Sequence, residues 1–167
     1  MISDLREINR LLIVIDELQV NNQGKILDVI EQCENIVLGG KRVNHKNTID
    51  FCVSSGILLQ NNEFLKYSPL GVKFFKANPE KVWDLNNLQK TLLIENCFLD
   101  GFYYEKTISI LKQFLKDNKR KTFVFSKQNL PFLHGDPSHI QLLKQIELIL
   151  EDETKLFVNP EFSKLLS

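Results

Sequence analysis

The sequence predicts a mainly α fold with small β-hairpins, an α+β arrangement built twice. Three observations predict it. Apolar residues recur at helical spacing over most of the chain. Two short apolar runs, LLQNNEFLKYSPLGVKFF and LILEDETKLFVNPEFSKLL, are each broken by a polar pair and closed by a polar residue followed by proline. The two runs also superimpose at one constant offset without a gap.

Taken in order, Ser3 is placed to cap a first helix, about Asp4 to Val20, with Leu5, Ile8, Leu12, Ile15 and Leu18 as its stripe. Asn21 and Asn22 end it, and Gly24 opens a second helix with Ile26, Leu27, Ile30 and Cys33 on one side. Gly39-Gly40 marks a loop. A third helix spans about Lys46 to Ser55 with Ile49, Cys52 and Val53 inward, and Gly56 suits its left-handed C-cap. Ile57 to Gln60 and Phe64 to Tyr67 form a hairpin, because Asn61-Asn62 tolerate the positive φ of a tight turn. Ser68 then caps a helix with Pro69 at its first position, where the missing N–H costs nothing, and Leu70, Phe74 and Phe75 pack it back.

Asn78-Pro79 breaks the chain, since a residue before proline is pushed out of the α region. Beyond it, Asp84 begins a helix with Leu85, Leu88, Leu92 and Leu93 in its stripe. Glu105 to Asp117 is another, using Ile108, Ile110, Leu111, Phe114 and Leu115. Thr122 to Phe125 reads as a weak strand, Ser126 to Leu133 as a short helix, and Asp136-Pro137 starts a helix through Ile146.

In the repeat, Leu148, Ile149 and Leu150 fall on Ile57, Leu58 and Leu59. Asp152-Glu153 falls on the Asn61-Asn62 turn and Asn159-Pro160 on Ser68-Pro69. Ile140 and Leu143 fall on Ile49 and Cys52. A helix, a hairpin and a capped helix matching together point to duplication. Three helices, a hairpin and a further helix is the order of a winged helix-turn-helix, so the chain divides into two such domains in tandem, 1–78 and 79–167.

Composition excludes several function classes. The 21 basic and 21 acidic residues give a net charge of zero, so any nucleic-acid surface must be local. Cys33, Cys52 and Cys97 are scattered among apolar neighbours and read as buried thiols. His45, His134 and His139 show no metal-ligand spacing, and no cofactor or small-molecule motif is present. A charged N-terminus and the lack of an apolar run near the roughly 20 residues needed to span a bilayer point to a cytoplasmic protein without a membrane partner. There is no G-x-S-x-G, phosphate-binding glycine loop or H-E-x-x-H. Glu153-Thr154-Lys155 has the E-x-K spacing of a metal-dependent nuclease but falls on a hairpin turn rather than a buried strand. The chain reads as a non-enzyme.

A winged helix commonly sets its third helix in the DNA major groove and its wing on a phosphate backbone. In the first copy Lys41, Arg42, Asn44, His45, Lys46 and Asn47 lead into and begin that helix, with Lys66 on the wing. Lys and Arg reach phosphates and Asn reads adenine edges. A second basic stretch holds Lys112, Lys116, Lys119, Arg120, Lys121 and Lys127 with Phe123 and Phe125 interleaved, a pattern suited to a nucleic-acid backbone and base stacking. The same positions also suit solvated helix ends. The second copy carries Glu151, Asp152 and Glu153 at its wing, which phosphate repels, so it suits a structural or protein-binding role. DNA binding and a protein-interaction scaffold of the same fold both stay open.

The ending TKLFVNPEFSKLL, Thr154 to Leu166, the Tyr67-Ser68-Pro69-Leu70-Gly71 segment and the helix from Leu85 to Leu93 resemble the N-terminal helical and winged-helix region of bacterial proteins that carry a NO VEIN-type nuclease-like domain. That domain is absent from this sequence. The resemblance implies a non-catalytic targeting or partner-binding module in a restriction or phage-defence setting, with a downstream effector domain or protein partner, and transfers no catalytic residues.

Overall fold

The computed structural model describes residues 2–18, 23–34, 45–116, 125–126, 137–153 and 155–163. These residues form a mainly helical α+β structure with two small antiparallel sheets. The chain divides into two compact units, residues 1–92 and 93–167.

The first unit is built around α1 (Arg6–Glu17). Its N-cap position is Leu5, not Ser3; the Asp4 carboxylate accepts from the Arg6 backbone N–H at 3.0 Å and satisfies one of the orphan donors. Every residue from Glu7 to Ile15 is buried, so α1 is enclosed rather than one-sided, while Leu18 beyond its end is exposed. That enclosure forces its polar residues to find internal partners. Strand β1 (Gln23–Lys25) then leads directly into α2 (Ile26–Glu34). Gly24 lies in this strand rather than opening the helix, and Leu27 is 79% exposed rather than inward; Val29 and Cys33 form the buried side.

Helix α3 (His45–Ser54) buries Thr48, Ile49, Phe51 and Cys52. It ends as expected at Gly56, whose φ is +75°. Strands β2 (Leu58–Asn61) and β3 (Phe64–Tyr67) form the hairpin, with Asn62 at φ +52° in its turn. Strand β1 adds to the other side of β3, giving the order β1-β3-β2. Helix α4 (Pro69–Lys76) starts on the Ser68 cap: its hydroxyl oxygen accepts from the Gly71 N–H at 2.9 Å. Gly71 is required here, because a Cβ would stand 2.1 Å from the Ile57 carbonyl oxygen.

The chain does stop being helical at Asn78-Pro79, yet it stays with the first unit. The Asn78 side chain closes a turn by donating to the Val82 carbonyl at 2.7 Å and accepting from the Val82 N–H at 3.1 Å. Helix α5 (Asn87–Leu93) begins later than Asp84, at a reciprocal cap. The Asn86 side chain accepts from the Gln89 N–H at 2.9 Å, and the Gln89 side chain accepts from the Asn86 N–H at 3.3 Å. Leu88 is 58% exposed, whereas Gln89 is fully buried. Gln89 donates to the Asn9 side chain at 2.6 Å and to the Phe74 carbonyl at 3.2 Å, while Asn9 donates to the Trp83 carbonyl at 3.0 Å.

The second unit opens with a π-helical turn, Ile94–Phe98, which continues the α5 run. Helix α6 (Tyr104–Lys116) buries Thr107, Ile110, Leu111 and Phe114. Strand β4 (Phe125–Ser126), helix α7 (Pro137–Gln145), strands β5 (Ile149–Glu151) and β6 (Lys155–Val158) and helix α8 (Pro160–Ser163) follow, with strand order β4-β6-β5. The expected helix over Ser126 to Leu133 lies mostly outside the described residues.

The repeat read from the sequence holds at the level of single hydrogen bonds. Leu58 pairs with Tyr67 as Ile149 pairs with Val158. Ile57 N–H donates to Cys52 O and Leu148 N–H to Leu143 O, both at 2.9 Å. Ser68 N–H reaches Ile57 O at 3.1 Å and Asn159 N–H reaches Leu148 O at 2.9 Å. Gly56 at φ +75° is matched by Glu147 at φ +63°. Buried Thr48, Ile49, Phe51, Cys52, Leu58 and Leu65 correspond to buried His139, Ile140, Leu142, Leu143, Ile149 and Leu156.

Candidate nucleic-acid interface

Burial of Thr48, Ile49, Phe51 and Cys52 decides what α3 presents to solvent. Lys46, Asp50 and Ser54 are exposed at successive turns of one face, and Asn47 is half-buried. Lys46 is thus exposed at the start of the helix. Asp50, one turn on, places a negative charge on the same face. Lys41, Arg42 and Asn44 lie outside the described residues.

His45 is turned to a different use. Arg10, 2% exposed, donates from Nη2 to Nδ1 of His45 at 3.0 Å, and the same nitrogen donates to the Glu7 carboxylate. A ring nitrogen that accepts from a guanidinium carries no proton, so the imidazole is neutral. Burial, then the Arg10 charge, hold its pKa below the ordinary value, against a pull upward from Glu34. Burial raises Glu7, opposed by Arg10. Cys33, also affected by Arg10 and Glu7, is pushed up to about 11, mainly by burial. Its thiol is therefore protonated at neutral pH and unreactive. Cys33, Cys52 and Cys97 are all buried and not disulfide-bonded. Glu7, Arg10 and His45 form an ionic joint between α1 and the start of α3.

On the first hairpin, Lys66 is exposed on β3, with Leu59 opposite it on β2 and Gln23 on β1. Two residues that sequence reading missed share that face. Phe64 is 41% exposed, and Lys25 opposes it on β1 with its Nζ 6.0 Å from the ring centroid. The alternation of Phe64, Leu65, Lys66 and Tyr67 carried the signal for Phe64. Lys25 could be placed only by knowing that Gln23–Lys25 pairs with β3.

The second unit differs at each corresponding place. Lys144 of α7 is paired with Glu151 of β5, so the cation of this helix is neutralised by its own hairpin. Asp152 and Glu153 at the hairpin tip are exposed. His139, fully buried, has Nε2 3.0 Å from Thr107 Oγ1 and packs against the rings of Tyr103 and Phe98, with centroids 5.5 and 5.7 Å away. Lys112 is exposed on α6. Lys116 ends that helix, and Lys119, Arg120 and Lys121 lie outside the described residues.

Among the described residues, no three His, Cys, Asp or Glu side chains are grouped to hold a metal ion, and no helix is long and apolar enough to cross a membrane. No family model, curated protein or solved structure matches the chain.

Proposed function

We propose that this chain is a tandem winged helix-turn-helix module whose first unit binds duplex DNA and whose second unit serves protein contact. The observation that carries the reading is the shared connectivity of the two units. Each ends in a helix, a hairpin and a capped helix, and in each the sheet order is first-third-second. In the first unit Lys46 is exposed at the head of α3, with the half-buried Asn47 beside it, and Lys66 is exposed on the wing. These groups suit phosphate and base-edge contacts in a winged-helix docking mode. In the second unit the Lys144–Glu151 pair and the exposed Asp152 and Glu153 oppose phosphate. On the sequence resemblance, the setting is the targeting part of a restriction or phage-defence system, with catalysis supplied by another domain or partner.

The test is fluorescence anisotropy of labelled random duplex DNA at two salt concentrations. Binding falls steeply with salt if phosphates are engaged. Lys46→Glu combined with Lys66→Glu weakens it at low salt and lowers the salt slope by about two, one per lost phosphate contact. Unchanged affinity overturns the assignment of α3 and the wing. The second reading, a scaffold with no nucleic-acid contact, is favoured by the zero net charge and by Asp50 on the exposed face of α3. It predicts no duplex binding even at low salt.

A further inference from the structure

Besides Lys66, the outer face of the β1-β3-β2 sheet carries residues that the duplex reading does not use. Leu65 and Tyr67 point to the core, which leaves Phe64 and Lys66 side by side on the other face of β3. Strand register sets Lys25 and Asn61 on either side of Phe64, and Leu59 beside Lys66. The described side chains of this face are therefore two lysines, an exposed phenylalanine, an exposed leucine and an asparagine, with no carboxylate among them. Leu27, 79% exposed, follows β1 at the start of α2.

The corresponding positions of the second unit are filled differently. By register, Lys25 corresponds to Ser126, Phe64 to Lys155 and Lys66 to Phe157, and by the constant sequence offset Asn61 corresponds to Asp152. One lysine is lost and an aspartate is gained, and Phe157 is half-buried opposite Leu150, whereas Phe64 is open. The repeat of the hairpin therefore does not by itself account for an open aromatic flanked by two cations in the first unit.

We propose that this sheet face is a platform for single-stranded nucleic acid. Phe64 stacks a base, and Lys25 and Lys66 meet the phosphates on either side of it. A planar aromatic on an exposed strand can stack any base, while neighbouring cations track the backbone. The Lys25 ammonium already lies at the Phe64 ring, at the outer limit of a cation–π contact. Its position lets it turn to a phosphate of the nucleotide whose base covers the ring. Charge complementarity selects this occupant over an apolar protein segment, for which two lysines at the centre of the face would have to be desolvated. The inference shares the fold of the reading above, but its residues Phe64 and Lys25 are not used there.

The experiment titrates the whole chain against labelled oligo-dT, oligo-U and random duplex DNA at low and moderate salt. Phe64→Ala is expected to lower single-strand affinity at least about fivefold, the low end for loss of one stacked base, with duplex affinity unchanged. Lys25→Glu lowers single-strand affinity and flattens its salt dependence. Phe64→Trp keeps affinity and gives fluorescence that bound oligo-dT quenches. Lys46→Glu acts on duplex binding alone, so the two readings fail separately. Single-strand binding that survives Phe64→Ala, that is lost with Lys46→Glu instead, or that is absent in the wild-type chain overturns the platform. Absence of strand binding together with self-association of the chain assigns the face to a second copy and overturns it equally.

Discussion

Arg10 donates a hydrogen bond to Nδ1 of His45 across 3.0 Å, joining the middle of α1 to the first residue of α3. A protonated imidazole has no acceptor to offer, and it would face a guanidinium at contact distance. The groups around it are Glu7 and Arg10 from α1 and Cys33 and Glu34 from α2. Because the folded protein holds His45 below its ordinary 6.5, the unfolded chain binds the proton more readily. The stability this contributes is complete above 6.5 and is lost as pH falls through the lowered folded value. Glu7 runs the opposite way: raised above 4.5, it contributes most below that pH and less as pH rises through its folded value. Thermal melts of the wild type and His45→Gln from about pH 5 to about pH 8, the range a histidine spans, should converge toward the acid end. Parallel curves would show that the ring is not held neutral.

Arg10→Ala should be severely destabilising. It strands the Glu7 carboxylate in a site where that group is almost wholly buried. Breaking such a pair costs about 3–5 kcal/mol, while replacing both partners by apolar groups is often neutral. Urea unfolding should therefore show Glu7→Leu with Arg10→Met closer to wild type than Arg10→Ala alone. Additive losses would contradict a coupled pair.

Gly71→Ala should cost about 1–3 kcal/mol, the usual range for forced overpacking. The added carbon would lie 2.1 Å from a backbone oxygen of Ile57, which has no flexible end to move aside. A midpoint shift in urea at unchanged slope would confirm the effect.

The two copies make opposite forecasts at the end of the third helix. A Cβ added at Gly56 would meet no atom within 4 Å, so Gly56→Ala is penalised by its φ of +75° alone, about 1 kcal/mol. Glu147 already carries that strain at φ +63°, and its backbone carbonyl keeps the bond from Asn159 whatever its side chain. Glu147→Gly should raise stability by about 0.5–1 kcal/mol, read as a higher unfolding midpoint.

What the sequence disclosed follows from where the information lay. Caps, turn residues and strand alternation are local, so the hairpins, Ser68-Pro69, Gly56 and the repeat were legible; the exact register was not, since Asn61 pairs with Phe64 inside the strands and leaves Asn62-Glu63 as the turn. Strand β1 was not, because Gln-Gly-Lys has no strand pattern and is extended only by pairing with β3. Asp84 precedes an apolar stripe and so looks like a helix start; the reciprocal bonds of Asn86 and Gln89 set the start later. In the candidate interface, the outward direction of Lys46 and Lys66 was readable from periodicity. The inward tie of His45 depends on Arg10, distant in sequence, and could not be read from the neighbourhood of His45.

The bonds from Asn9 to Gln89 and to the Trp83 carbonyl also bear on biosynthesis. During translation, α1 emerges first, but the partners of its buried amide are added only after the hairpin and α4 are complete. A nascent chain paused at Asn78 would hold Asn9 without those acceptors. The buried Asn9 amide therefore finds its partners only once residue 89 has cleared the ribosome.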